Sequence, residues 1–246
     1  MKGTITSYLP EKQYGFIKGE DGKDYFFHEN EFRDPTHIER LCEDAWIDFD
    51  QQATPKGYRA KNCSLLDPKT VLTYTLPGDF ITSRTATVRG WEVIEYADWI
   101  VHGASSDSPE AAQHEAVYRA KLVGANALIG LEYYKTTGSE PGSGRGTHHF
   151  TIHNFRGQLA TLAKRTSRGP YRHDQLLGLN RRAESLKQEL MVKTRASKRK
   201  RNLLWSAVLV LSILSSLVAP VLIIAWVVLG FLFGGAKNHD DWLERV

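Results

Sequence analysis

Cysteine is the scarcest informative residue in these 246 residues: only Cys42 and Cys63 occur, in unrelated contexts. Two isolated thiols exclude a disulfide framework and a metal-type cysteine spacing, and they suit a reducing compartment. Other signatures are missing too. A secretory leader is not expected, because Met1-Lys2-Gly3 runs straight into an alternating strand-like pattern. No nucleophile–base–acid spacing appears, so the reading is of a non-enzyme without cofactor. The glycine-rich run Gly138–Gly146 is not followed by Gly-Lys-Ser/Thr or by a helix start. It therefore reads as a flexible hairpin loop, not a phosphate cradle. His148, His149 and His153 lack a Cys or acidic neighbour in sequence and read as surface histidines, with no metal site.

Charge is also missing where it matters. Residues 202–236 carry none, immediately after Lys198-Arg199-Lys200-Arg201. An uncharged apolar run longer than about 18 residues reads as a membrane segment, and a basic flank marks the cytoplasmic side. Leu203–Phe233 would span about 46 Å as one helix, more than a hydrocarbon core of about 30 Å needs. Pro220 splits the run, so a re-entrant hairpin is preferred over one kinked crossing. Trp205 and Trp226, placed one bilayer apart, suit the single crossing. The expected location is a bacterial inner membrane, with the N-terminal domains facing the cytoplasm.

The net charge of +4 is unevenly spread. Residues 1–66 sum to −3, 67–163 to −2, 164–202 to +10 and 203–246 to −1. The basic character thus belongs to one linker. Anionic lipid headgroups, attracted by about 1 kcal/mol per residue near a surface, are its first expected partner; nucleic-acid phosphate is the second.

Four segments precede a short tail, 237–246. Residues 1–66 show short β-rich runs: Thr4–Tyr8, Tyr14–Ile17, Asp24–His28 after the hairpin dipeptide Asp21-Gly22, Ala45–Asp50 and Ala60–Leu65. Five such runs predict a small closed barrel. Tyr14 with Phe16, and Phe26 with His28, alternate along their strands and so share a face. If the opposite face fills the barrel, these rings stand outside beside Lys12, where bases stack at about 1–3 kcal/mol each.

At these residues the chain resembles the cold-shock domain family. Lys12–Ile17 matches its KGYGFI-type element, Tyr25–His28 its VFVH-type element, and Lys56-Gly57 with Ala60-Lys61-Asn62 its closing strands. The resemblance implies an all-β, five-stranded OB-type barrel that binds single-stranded RNA or DNA with little sequence preference. Its implied contacts are Lys12, Tyr14, Phe16, Phe26, His28, Tyr8 and Lys56. Two departures stand out: Ser7-Tyr8-Leu9 replaces the family's Trp-Phe-Asn, and Glu29 replaces a phenylalanine. They imply weaker binding than a free cold-shock protein, or a barrel converted to protein contacts within a membrane-associated scaffold.

Residues 70–163 predict an α+β domain. Gly90–Gly103 reads as extended; Ser108-Pro109-Glu110 starts a helix with Ala112, Ala116, Ala120 and Val123 on one side; Gly124 stops it. Ala127–Tyr134 and His148–Thr161 follow as strands around a loop at Thr137–Thr147. Gly124-Ala125-Asn126-Ala127 and Gly130 look like the YbjQ family, which implies a homo-oligomeric ring. Residues 164–201 read as a basic helical stalk capped by Asp174. Leu176, Ala183 and Leu190, with Leu179 and Leu186, form a short heptad seam. Either a helix–helix seam or an amphipathic helix lying on the bilayer fits that pattern. The membrane segment is 203–236, as a transmembrane helix or a helical hairpin.

Overall fold

A computed structural model describes residues 1–67, 72–141, 146–218, 222–233 and 235–246. Pro220 and Gly142–Arg145, on which the kink and part of the glycine-rich loop rested, lie outside the described residues. The chain divides into two compact units, Met1–Leu179 and Asn180–Val246.

The first unit opens with the barrel: β1 (Lys2–Leu9), β2 (Tyr14–Gly19), β3 (Asp24–His28), β4 (Trp46–Thr54) and β5 (Gly57–Leu65), closed in the order β1-β2-β3-β5-β4. Strand alternation sends Ile17, Tyr25, Phe27, Ile47 and Phe49 inward, where they are fully buried with Ile5 and Leu41. The β2–β3 turn carries Gly22 at φ 78°, a left-handed position suited to glycine, and the Asp21 carboxylate accepts the Lys23 N–H at 3.1 Å. In β1 the pairing with β2 slips between Ile5 and Ser7, a bulge that changes which side chains face inward.

Next come β6 (Thr73–Thr75), β7 (Ile81–Thr82), β8 (Glu92–Ser105), α1 (Pro109–Val123), β9 (Ala127–Pro141) and β10 (Thr147–Thr166). The long strands pair in the order β8-β10-β9-β7, with β7 parallel to β9 and the others antiparallel, while β6 pairs the far end of β10. The expected loop at Thr137–Thr147 is much shorter, because β9 continues to Pro141 and β10 starts at Thr147. Helix α1 begins where predicted, with Ser108 Oγ accepting the Ala111 N–H at 3.1 Å, and stops at Gly124 with φ 87°. Its alanine face is buried on the sheet at Gly103, where a Cβ would sit 2.4 Å from Ala112 O and Ala116 N. Asn126 anchors the helix exit to β10: its Nδ2 donates to Leu162 O at 2.8 Å and its Oδ1 accepts the Leu162 N–H at 2.7 Å.

The barrel is docked on this sheet. Glu43 N–H donates to Arg165 O and Ser167 N–H to Glu43 O, both at 3.1 Å, so the β3–β4 connection adds a short strand-like contact beside β10. A short helix α2 (His173–Leu176) closes the unit. The stalk is therefore not one helix capped by Asp174: Arg172 precedes α2, and Gly178 at φ 95° breaks the path before α3.

In the second unit, α3 (Leu179–Val218) carries the basic cluster straight into the apolar run, and α4 (Leu222–Phe233) returns alongside it. Trp226 Nε1 donates to Ser215 Oγ at 2.9 Å, and Trp205 meets Phe231 edge-on at 5.3 Å. The tail then folds onto α3. Lys187 Nζ donates to Asp240 O and Leu243 O, and Thr194 Oγ1 to Asp240 Oδ1 at 2.6 Å. Ala183 and Leu190 of the seam are buried within the chain, as is Thr194 one turn beyond. Among the described residues no helix is long and apolar enough to cross a membrane. Of the two expected forms, a kinked single crossing and the preferred hairpin, the described residues show two paired helical arms, about 25 Å for Asn202–Val218 and about 18 Å for α4, each shorter than a bilayer core.

Candidate nucleic-acid interface

The β2–β3 register places Phe16 opposite Phe26 and Tyr14 opposite His28. Gly15, Ile17, Tyr25 and Phe27 point inward, so the four rings emerge together on the barrel's outer face. Tyr14 lies 5.6 Å from Phe26 and 6.3 Å from Phe16, and Phe16 lies 5.9 Å from Phe26, two of the three contacts edge-on. Edge-on packing leaves ring faces open, and Phe16 is 40% exposed. His28 Nδ1 accepts the Asn30 N–H at 3.3 Å, which orients its ring and leaves Nε2 to carry the proton when the side chain is neutral.

Lys12 ends a single 3-10 turn, Pro10–Lys12, one residue ahead of β2, and is exposed. Lys56 occupies the β4–β5 turn, where its N–H donates to Thr54 Oγ1 at 3.3 Å. Tyr8 does not join the ring face. The bulge in β1 turns it into the core, where its ring stacks over Phe27 at 6.0 Å. Its hydroxyl donates to Glu29 Oε1, and burial, reinforced by that carboxylate, pushes its pKa up. The two departures from the family pattern thus form one paired unit, which holds the Glu29 carboxylate against the barrel wall.

Sequence reasoning missed a basic group beside the rings. The parallel pairing of β3 with β5 sets Arg59 opposite Phe26, with its guanidinium 5.8 Å from that ring. Glu31 accepts from both Arg59 Nη2 and Lys61 Nζ at 2.7 Å. Tyr58 is 41% exposed and carries Lys23 Nζ 4.6 Å above its ring. Only the alternation Tyr58–Arg59–Ala60–Lys61 hinted at this, since the parallel neighbour of β3 cannot be read from local sequence.

The histidines lie along β10. His148 Nδ1 is 3.2 Å from Glu140, an acidic neighbour that sequence spacing had hidden, and His153 Nδ1 is 2.7 Å from the Tyr133 hydroxyl. Among the described residues, no three His, Cys, Asp or Glu side chains gather as a metal site.

Comparison with known proteins gives four findings. The 'Cold-shock' DNA-binding domain family matches residues 1–66. Cold shock protein 1 of Lactiplantibacillus plantarum is 35% identical over 60 residues, 24% of this chain and 89% of that protein. A retron Se72 cold shock-like protein of Salmonella heidelberg is 34% identical over 58 residues, covering 24% and 87% respectively. A solved structure from Pediococcus pentosaceus, a DUF74-family protein of unknown function, covers 34% of this chain and 97% of its own length. Its TM-score is 0.23 at 15% identity, a likeness that defines no fold here. Through its five-stranded barrel at residues 1–66, the chain belongs to the cold-shock domain family.

Proposed function

We propose that the chain binds single-stranded RNA or DNA on the ring face of its barrel and is held at a membrane surface by its helical hairpin. The observation that carries the first half is the outward cluster of Tyr14, Phe16 and Phe26 beside Arg59 and Lys12. Each ring offers a face that any base can cover, and the cations follow the backbone, so binding is tolerant of sequence and weakens with salt.

For the second half, the hairpin turns large apolar side chains outward on both arms, among them Leu209, Ile213, Phe231 and Leu232. Its internal polar pair, Trp226 with Ser215, is satisfied, as a lipid-embedded segment requires. Entry into one leaflet leaves the basic residues Lys198–Arg201 and the folded-back tail at the same headgroup layer.

Two measurements on the full-length protein test these halves separately. Fluorescence anisotropy with labelled oligo-dT and oligo-U at low salt should show saturable binding that Phe16→Ala with Phe26→Ala abolishes. Vesicle flotation should show association that strengthens with anionic lipid. No oligonucleotide binding by the folded protein sinks the first half and favours the scaffold reading, in which the barrel serves protein contacts as it does towards β10.

A further inference from the structure

A cleft of about 260 Å³ opens between the barrel and the edge of the sheet. One side is the end of β1 at Leu9 and the turn Pro10–Lys12 that follows it; the other is the turn from Val88 to Glu92 together with Lys164 and Arg165. Its position ties it to the ring face, since Leu9 pairs directly with Tyr14, the first of the outward-facing rings. A strand leaving Tyr14 along the barrel therefore meets the cleft next.

The cleft's chemistry matches one nucleotide. Leu9, Pro10, Val88 and Trp91 make apolar walls, and Trp91 is the large aromatic surface among them. Lys164 Nζ lies 4.9 Å over the Trp91 ring and 4.0 Å from the Glu43 carboxylate. Arg165 is already committed, donating to both carboxylate oxygens of Glu92 at 2.6 and 2.7 Å. Lys12 and Arg89 are different: both are exposed at the rim, and among the described residues neither has an ion-pair partner. Two unpaired cations at the mouth of an aromatic-walled slot suit a phosphate outside and a base within.

We propose that this cleft is a nucleotide subsite that carries the bound single strand off the barrel and onto the middle domain. The base lies against Trp91, and its phosphate is held by Lys12 and Arg89. The subsite supplies from the middle domain the stacking platform that the barrel's first strand lacks. The inference rests on the ring-face reading above, and it adds a site outside the cold-shock barrel.

The test is the length dependence of binding. Full-length protein is titrated by anisotropy with labelled oligo-dT of about 4 to about 16 nucleotides, the range of OB-fold site sizes. Arg89→Glu and Trp91→Ala should each weaken the longer strands about tenfold and leave the shortest unchanged. Because Trp91 packs against buried core residues, exposed Arg89 provides the variant that leaves the fold intact. In parallel, 5-iodouridine placed at successive positions should crosslink to the peptide bearing Trp91 at one terminal position only. Unchanged binding of every length by Arg89→Glu, with no crosslink at 85–92, overturns the subsite. If Phe16→Ala with Phe26→Ala still abolishes binding in that case, the ring-face reading survives without it. Failure of wild-type protein to bind any length removes both.

Discussion

Replacing Glu31 by Gln should destabilise the protein and strengthen its hold on nucleic acid, two effects of opposite sign from one atom. The Glu31 carboxylate is 13% exposed and accepts from Arg59 and Lys61 at 2.7 Å each. Charge-assisted bonds contribute about 1.5–3 kcal/mol apiece, but both cations are more than a third exposed and solvent discounts the pair. A loss of about 1–2 kcal/mol in urea unfolding follows for E31Q. The same change frees two cations next to Phe26, over which Arg59 already sits. Each phosphate newly engaged steepens the plot of log Kobs against log salt by about 0.7 for a single strand. The slope for E31Q should therefore exceed wild type by about 0.7 to 1.4, with tighter binding at low salt. The acid limb has a defined sign. Burial alone would raise the Glu31 carboxyl, but the Lys61 hydrogen bond and the charges of Lys61 and Arg59 outweigh it and hold its pKa below the ordinary value. Its stabilising contribution is thus complete above the unfolded glutamate value of about 4.3 and is lost as pH falls through the lower folded value. E31Q should lack that limb in a series of melts. An unchanged salt slope, or weaker binding by E31Q, would refute the argument that Glu31 holds these cations back from the strand.

Three further outcomes are expected. Cys42 and Cys63 are fully buried, and burial pushes their thiol pKa values up to about 11 and about 12; at pH 8 neither should react with a thiol-disulfide reagent until denaturant is added, and fast labelling of the native protein would contradict the barrel core. Gly103→Ala should cost about 1–3 kcal/mol or more because its Cβ meets α1 backbone, whereas Gly78→Ala, with open space around it, should stay within about 0.5 kcal/mol; equal midpoints in urea would contradict the α1–β8 packing. Asp240→Ala removes the acceptor of Thr194 and the partner of Lys187, so limited trypsin digestion should cut at Lys237 faster than in wild type. Equal cleavage would show that the tail is not held there.

The alternation of Tyr14, Phe16, Phe26 and His28 made the ring face legible from sequence, because period-two patterning is a local property of each strand. Tyr8 was assigned to that face by the family resemblance alone. A bulge between Ile5 and Ser7 reverses its side, and no turn residue announces a bulge inside an alternating run. Arg59 was missed because it reaches Phe26 only through the parallel β3–β5 closure, a contact set by barrel topology. The α1 boundaries were readable from Ser108 and Gly124, since caps act within a few residues. The break at Gly178 escaped because the leucine heptad continues across it in sequence. The seam itself flanks the chain's own tail, through Lys187 and Thr194 on Asp240.

Glu29 is where sequence and structure disagree most about sign. Met alone, a carboxylate in place of a ring beside a phosphate path reads as repulsion. Its Oε1, however, accepts the Tyr8 hydroxyl, and its N–H donates to Gln13 O at 2.8 Å, so the residue is tied both to the end of β1 and to the β1–β2 connection. That connection also forms one wall of the cleft with Leu9, Pro10 and Lys12. The Tyr8–Glu29 pair therefore acts as a brace that fixes where Lys12 stands relative to Tyr14. Tyr8→Phe removes the donor while keeping the stacked ring on Phe27, and it releases a carboxylate next to the strand path. It should weaken oligonucleotide binding at low salt more than at high salt, because the released charge acts through the screened Coulomb term. Glu29→Gln in the same background should restore binding without restoring the brace. If the double variant binds no better than Tyr8→Phe alone, the carboxylate is not what opposes the strand, and the loss comes from the displacement of Lys12 when the brace is gone.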